Sequence, residues 1–177
     1  QLDEYNMLLN THRTLQRCPK IFTQAMNSLG LQDVIVCGSG PSLDQSIETI
    51  KYLADSHLIV ASGSNYHTLR RAGIEVDFLV LVERANNTYD DYKESVDMYG
   101  SGTTTLVMSS TCPAELIDLF DETIIFFRPA LTPLAVYSDN PSEVLNFEGP
   151  ESLYGGFAWA CAHRPQNIIL IGADLGT

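Results

Sequence analysis

Two glycines bracket Ser39 in the run Val34-Ile35-Val36-Cys37-Gly38-Ser39-Gly40-Pro41-Ser42-Leu43-Asp44, where residue types and spacing point most directly to chemistry. A glycine turn leading from a strand into a helix can aim backbone N–H groups outward at the positive end of the helix dipole. A phosphate or carboxylate binds there. Glycine lets a ligand reach the backbone with no Cβ in the way, and Pro41 suits a helix start because its missing N–H would be unpaired there. Gly38, Ser39, Gly40, Pro41 and Ser42 are therefore candidate anion contacts; a tight turn with no ligand is the alternative. Neither common phosphate loop is present. The dinucleotide fingerprint needs a third glycine where Leu43 stands, and no lysine occurs between Lys20 and Lys51 to complete a P-loop.

Further candidates close other apolar runs. Gly63, Ser64 and Asn65 follow Leu58–Ala61, and Asn65 either reads a ligand hydroxyl or base edge through its amide or caps a helix. Glu83 closes Leu79–Val82 and either faces the cleft, toward a ribose hydroxyl, a metal or an acceptor, or pairs with Arg84. Asp174 stands in the same relation to Ile168–Ile171, just past Gly172. Two carboxylates ending two strands hold Mg²⁺ in some sites and are merely solvated in others. Ser109 and Ser110 end another run, and Arg128, directly after Thr123–Phe127, suits an anionic group. Tyr154-Gly155-Gly156 permits either close substrate approach or tight helix packing. His12, His57, His67 and His163 are not spaced as a metal set; His67 lies nearest the expected ligand edge but reads as a surface histidine. No Ser-His-Asp or Cys-His arrangement is identifiable.

The elements that must position these residues follow from periodicity. Apolar runs at 34–37, 58–61, 78–82, 105–108, 123–127 and 168–171 alternate with helical patterns near 43–54, 66–72, 89–98, 113–120 and 153–163. Pro19 should divide an N-terminal helix from a second one over Ile21–Ser28. Residues 129–150 read as a long excursion. The pattern predicts an α/β fold, a three-layer Rossmann-like sandwich around a mostly parallel six-stranded sheet. In such sheets the ligand lies beyond the carboxyl ends of the strands, so the candidates above should collect on one edge.

Composition narrows the class. The 177 residues are 45% hydrophobic, enough for one domain with a proper core. A net charge of −12 argues against a nucleic-acid partner, which calls for a basic face. No run of 18 apolar residues or leader pattern is present, so no membrane partner is expected. Cys18, Cys37, Cys112 and Cys161 lack metal or disulfide spacing, which suits a reducing cytoplasm. The first residue is not Met and the last follows an apolar run. Residues 1–30 are expected to be a helical lead-in from a missing N-terminal region, and 31–177 a nucleotide-binding domain truncated at its C-terminus.

Four segments in order, 34–44, Ala61-Ser62-Gly63-Ser64-Asn65, Ala72 to Glu83, and Ile168 to Leu175, resemble the motility-associated factor family. These bacterial flagellin glycosyltransferases share a domain with archaeal pterin pyrophosphokinases. The Gly-x-Gly-Pro-Ser-Leu turn and closing Gly-x-Asp are also similar to those of bacterial CMP-sialic acid sialyltransferases. The resemblance implies a site for a CMP-activated nonulosonic acid, of pseudaminic, legionaminic or sialic type, with residues 38–42 and 63–65 at the nucleotide. Glu83, Ser109, Ser110, Arg128, Gly172 and Asp174 would face substrate or, for Glu83 and Asp174, Mg²⁺. Flagellin Ser or Thr would be the acceptor. Many relatives carry Asp where this chain has Glu83, and the base and phosphate-holding tyrosines would fall beyond Thr177, so no catalytic residue is assigned. The alternatives are a Mg²⁺-dependent 6-hydroxymethylpterin pyrophosphokinase and a non-catalytic nucleotide-binding or flagellin-docking module.

Overall fold

The structure, a computed structural model, describes residues 2–17, 20–24, 32–85, 87–129, 137, 140–146, 149 and 151–174. Helix α1 spans Leu2–Arg17. Strand β1 (Asp33–Cys37) is followed by α2 (Ser42–Leu53), β2 (His57–Ser62), α3 (Asn65–Arg71), β3 (Phe78–Leu81), α4 (Thr88–Tyr99) and β4 (Thr105–Ser109). A 3₁₀ helix over Ala114–Leu119 leads to β5 (Glu122–Phe126); α5 (Ser152–Ala162) and β6 (Ile168–Ile171) complete the order.

All neighbouring strands pair in parallel, in the order β5-β4-β3-β2-β1-β6. Alternate side chains supply two cores. Ile35, Ile59, Leu79, Leu106 and Ile125 face α2, α3, α4 and the 3₁₀ helix, whereas Val34, Val36, Val60, Val80 and Val107 face α5. The fold is thus the α/β three-layer arrangement that the alternation of runs predicts. The chain steps from β1 to β5 in one direction and then crosses back to lay β6 beside β1. The switch in strand order therefore falls between β1 and β6.

Two segments depart from expectation. Ile21 forms a parallel bridge to Ile125 rather than starting a helix, and Phe22 N–H donates to Ile125 O at 2.7 Å. Phe22 is buried against Trp159, their ring centroids 5.7 Å apart, and that contact favours the extended backbone. The remainder of the expected second helix lies outside the described residues. Helix α1, expected only as a lead-in, packs on the carboxyl ends of β3 and β4: Asn10 Nδ2 donates to Thr111 O at 3.0 Å, and Arg84 pairs with Asp3 at 2.8 Å. Within the 129–150 excursion, the described residues include a short 3₁₀ turn at Pro141–Glu143 and a bridge from Val144 to Phe127.

Candidate functional site

At the end of β1 the glycine turn does not present a free row of amides. Gly38 N–H donates to Ile171 O at 2.7 Å, Gly40 N–H to Gly172 O at 2.9 Å, and Leu43 N–H to Gly40 O at 3.0 Å. Asp174 takes the place at the start of α2 that an external anion would fill: its Oδ2 accepts from Ser42 N–H at 2.9 Å and Ser42 Oγ at 2.8 Å. These bonds, the backbone one first, hold the Asp174 carboxyl below the usual carboxylate range. Four N–H groups of the turn, those of Gly38, Gly40, Ser42 and Leu43, thus have internal acceptors. Nor do the glycines serve ligand approach here. A Cβ on Gly38 would stand 2.3 Å from Gly172 O, and one on Gly40 would stand 2.1 Å from Asp174 Oδ2. Glycine is needed so that the β1 and β6 loops can touch. Gly172 completes the junction with φ of 69°, which favours glycine.

One strand over, Asn65 is 2% exposed, and Ser64 rather than Asn65 stands at the N-cap of α3. Its Nδ2 donates to Cys37 O at 2.6 Å and Ser62 O at 3.0 Å, while Oδ1 accepts from Ser62 N–H at 3.2 Å. Both amide protons are used in tying the end of β1 to the end of β2. Open to solvent at this edge are the hydroxyls of Ser39 and Ser64, 3.0 Å apart, and Pro41.

Beside Ser64 a cleft of about 440 Å³ opens between α3 and α4, lined by Ser64, His67, Glu83, Thr88, Asp91, Tyr92, Glu94 and Ser95. Glu83 thus faces the cleft, and Arg84 pairs with Asp3 instead. The Glu83 carboxylate is fixed from behind: Ser152 Oγ donates to Oε1 at 2.6 Å and Val82 N–H to Oε2 at 3.1 Å. Gly63, with φ of 81°, leaves room for this pair; a Cβ there would meet Ser152 Cβ at 3.2 Å and Glu83 Oε1 at 3.3 Å. Opposite, His67 Nδ1 lies 2.9 Å from the buried Ser95 Oγ, and its ring meets Tyr99 edge-on at 5.4 Å. Sequence reasoning missed Ser152 and the α4 wall. The signal for that wall was present, since Thr88, Asp91, Tyr92 and Ser95 share one helical face at i, i+3, i+4 and i+7.

The other candidates lie elsewhere. Ser109 and Ser110 are fully buried; Ser109 Oγ is 2.8 Å from Thr111 Oγ1 and Ser110 Oγ is 3.3 Å from Thr11 Oγ1 of α1. Ser110 meets α1 directly, and Ser109 braces Thr111, whose carbonyl accepts from Asn10 of α1. Arg128 is buried at the outermost strand and donates to Gly149 O at 2.7 Å, four strand positions from β1. Glu83 and Asp174 end strands three spacings apart, roughly 14 Å, too far to share one Mg²⁺ ion. Among the described residues no group of three His, Cys, Asp or Glu is set to hold a metal. Gly155 and Gly156 serve packing: a Cβ on Gly156 would stand 2.0 Å from Ser62 Oγ. Burial pushes the Cys37 thiol up to about 12 and the Cys112 thiol up as well, so neither is a nucleophile.

A family model described as 6-hydroxymethylpterin diphosphokinase MptE-like matches residues 5–177. The chain belongs to this MptE-like family. Its fold is similar to that of a solved structure described as the MAf glycosyltransferase from Magnetospirillum magneticum AMB-1, with 31% sequence identity and a TM-score of 0.91. That likeness covers 99% of this MptE-like chain but 28% of the other, so the chain spans little more than a quarter of that protein. No curated protein matches. Among the described residues no helix is long and apolar enough to cross a membrane.

Proposed function

We propose that this MptE-like chain is the nucleotide-sugar-binding part of a glycosyltransferase that moves a CMP-activated nonulosonic acid to Ser or Thr hydroxyls of a flagellin-type protein in the cytoplasm. The observation that carries this reading is the 31% identity to a MAf glycosyltransferase at a TM-score of 0.91 over 99% of the chain. The geometry supports a ligand on the exposed Ser39–Ser64 rim with the reacting group in the adjoining cleft. Glu83, Asp91 and Glu94 would repel a sugar carboxylate, so the acid group of the donor belongs on the hydroxyl rim and its neutral hydroxyls in the cleft. Direct displacement at the anomeric carbon, with CMP leaving, is the chemistry this arrangement would serve.

A second reading, diphosphate transfer from ATP to a hydroxymethylpterin, is favoured by the description of the matched family. Because Glu83 and Asp174 do not fit one ion, no metal-dependent step is derived from them. Calorimetry on the full-length protein with CMP, CMP-N-acetylneuraminic acid, Mg²⁺-ATP and 6-hydroxymethylpterin separates the readings. CMP binding without an ATP response supports the transferase. ATP and pterin binding without CMP refutes it, and silence to all four leaves the docking module.

A further inference from the structure

We propose that His67, and not a residue beyond Thr177 as the resemblance implies, is the general base that takes the proton from the acceptor hydroxyl, an inference that rests on the transferase reading above. His67 lines the cleft beside Ser64 and Glu83, at the strand-end edge where ligands of parallel sheets lie. Two contacts fix its ring. Nδ1 is 2.9 Å from the hydroxyl of Ser95, which is 2% exposed, and the ring edge abuts Tyr99. In the tautomer whose Nδ1–H donates to Ser95 Oγ, the Nε2 lone pair is the one left for chemistry, and among the described residues Nε2 has no hydrogen-bond partner. A base held by a third group, with its second nitrogen open to a cleft, is the arrangement that proton abstraction needs.

The step balances within the proposed reactants. The acceptor oxygen forms a bond to the anomeric carbon while the bond from that carbon to the CMP phosphate oxygen breaks. The phosphate keeps the electron pair, and the acceptor proton moves to His67 Nε2 and then to solvent. The other ionisable groups facing this space are Glu83 from the end of β3 and Asp91, Tyr92 and Glu94 from α4, with Tyr99 against the ring. On α3 itself Arg70 is turned away, donating to Tyr99 O at 3.1 Å. Burial pushes the Tyr92 phenol well above its ordinary range, so it stays protonated across the assayed pH.

The test uses the full-length protein with its host's flagellin and CMP-linked N-acetylneuraminic, pseudaminic and legionaminic acids, following CMP release from pH 4.5 to 9. His67→Asn keeps a donor where Nδ1 stood but cannot accept a proton. It should lower kcat about 10²- to 10⁴-fold and erase the acid limb of the kcat–pH profile, with CMP affinity by calorimetry within about twofold. Ser95→Ala, which frees the ring, should lower kcat about tenfold without erasing that limb. An active His67→Asn enzyme with its limb intact overturns the assignment alone. So does a rate loss matched by an equal loss of CMP affinity. A wild-type protein that binds no CMP and turns over no donor refutes the transferase reading and His67 with it, and an unchanged urea midpoint for His67→Asn shows that no misfolding is involved.

Discussion

Gly38→Ala separates two roles for the glycine turn. If the glycines admit a ligand, the variant folds normally and loses affinity; if they let the β1 and β6 loops touch, it loses stability. The new Cβ would stand 2.3 Å from Gly172 O, 3.0 Å from Gly172 C and 3.2 Å from Leu153 Cδ1. Two of these are backbone atoms that cannot rotate away, so the loops must part by roughly 1 Å to reach ordinary contact. That opening stretches the bonds from Gly38 N–H to Ile171 O and from Gly40 N–H to Gly172 O. Overpacking costs about 1–3 kcal/mol and each of the two weakened bonds about 1 kcal/mol, together about 3–5 kcal/mol. With a urea m-value of about 2 kcal/mol/M the unfolding midpoint should fall by about 1.5–2.5 M. Gly40→Ala is the internal control. Its Cβ meets side-chain atoms of the exposed Asp174 and no backbone atom, so relief gives up the Ser42 contacts but leaves the strand-end backbone in place, and its shift should be smaller. A Gly38→Ala midpoint within about 0.3 M of wild type, or equal shifts for the two variants, would refute the packing argument.

Asn65→Ala should cost about 2–4 kcal/mol, because it strips three buried hydrogen bonds joining the ends of β1 and β2. Calorimetric unfolding should show Tm lower by about 5–15 °C, and a loss below about 2 °C would return Asn65 to the ligand reading. Ser42 holds the Asp174 carboxyl below its ordinary value, so its contribution is present above about pH 4 and is lost as pH falls through the lowered value. Asp174→Asn should therefore flatten the acid limb of a Tm–pH curve; an unchanged limb counts against the Ser42 contact. Iodoacetamide on the native protein, read by peptide mass spectrometry, should label exposed Cys161 and spare Cys37 and Cys112.

Much of this architecture was legible because parallel strands buried on both faces leave continuous β-branched runs. Val34–Cys37 and Leu79–Val82 could be read directly, and so could the edge on which their ends collect. The details of the edge were not legible, because short polar residues suit ligand contact and backbone repair equally well. Asn65, Ser109 and Ser110 are all in the right place and all point inward, to acceptors and hydroxyls that only the tertiary packing supplies. Ile21–Gln24 misled for a related reason: its spacing fits a helix, but the Phe22–Trp159 contact, 137 positions apart, holds it extended along β5.

The closed junction between β1 and β6 also explains why the cleft sits two strands away from the switch in strand order. A switch point offers a crevice because the flanking loops diverge to opposite faces. Here the two glycine turns converge instead, and Asp174 supplies the negative charge that the start of α2 attracts. With that position filled from within, the nearest unfilled space is bounded by the ends of β2 and β3 and by α3 and α4. An anionic ligand centred on the glycine turn would have to displace the Asp174 carboxylate. A ligand seated on Ser39 and Ser64 and reaching toward Glu83 and His67 need displace no protein group. Asp174→Ala distinguishes these routes: CMP affinity should rise severalfold if the carboxylate competes with the nucleotide and stay unchanged if the rim and cleft are the site. The second outcome is the one the geometry supports.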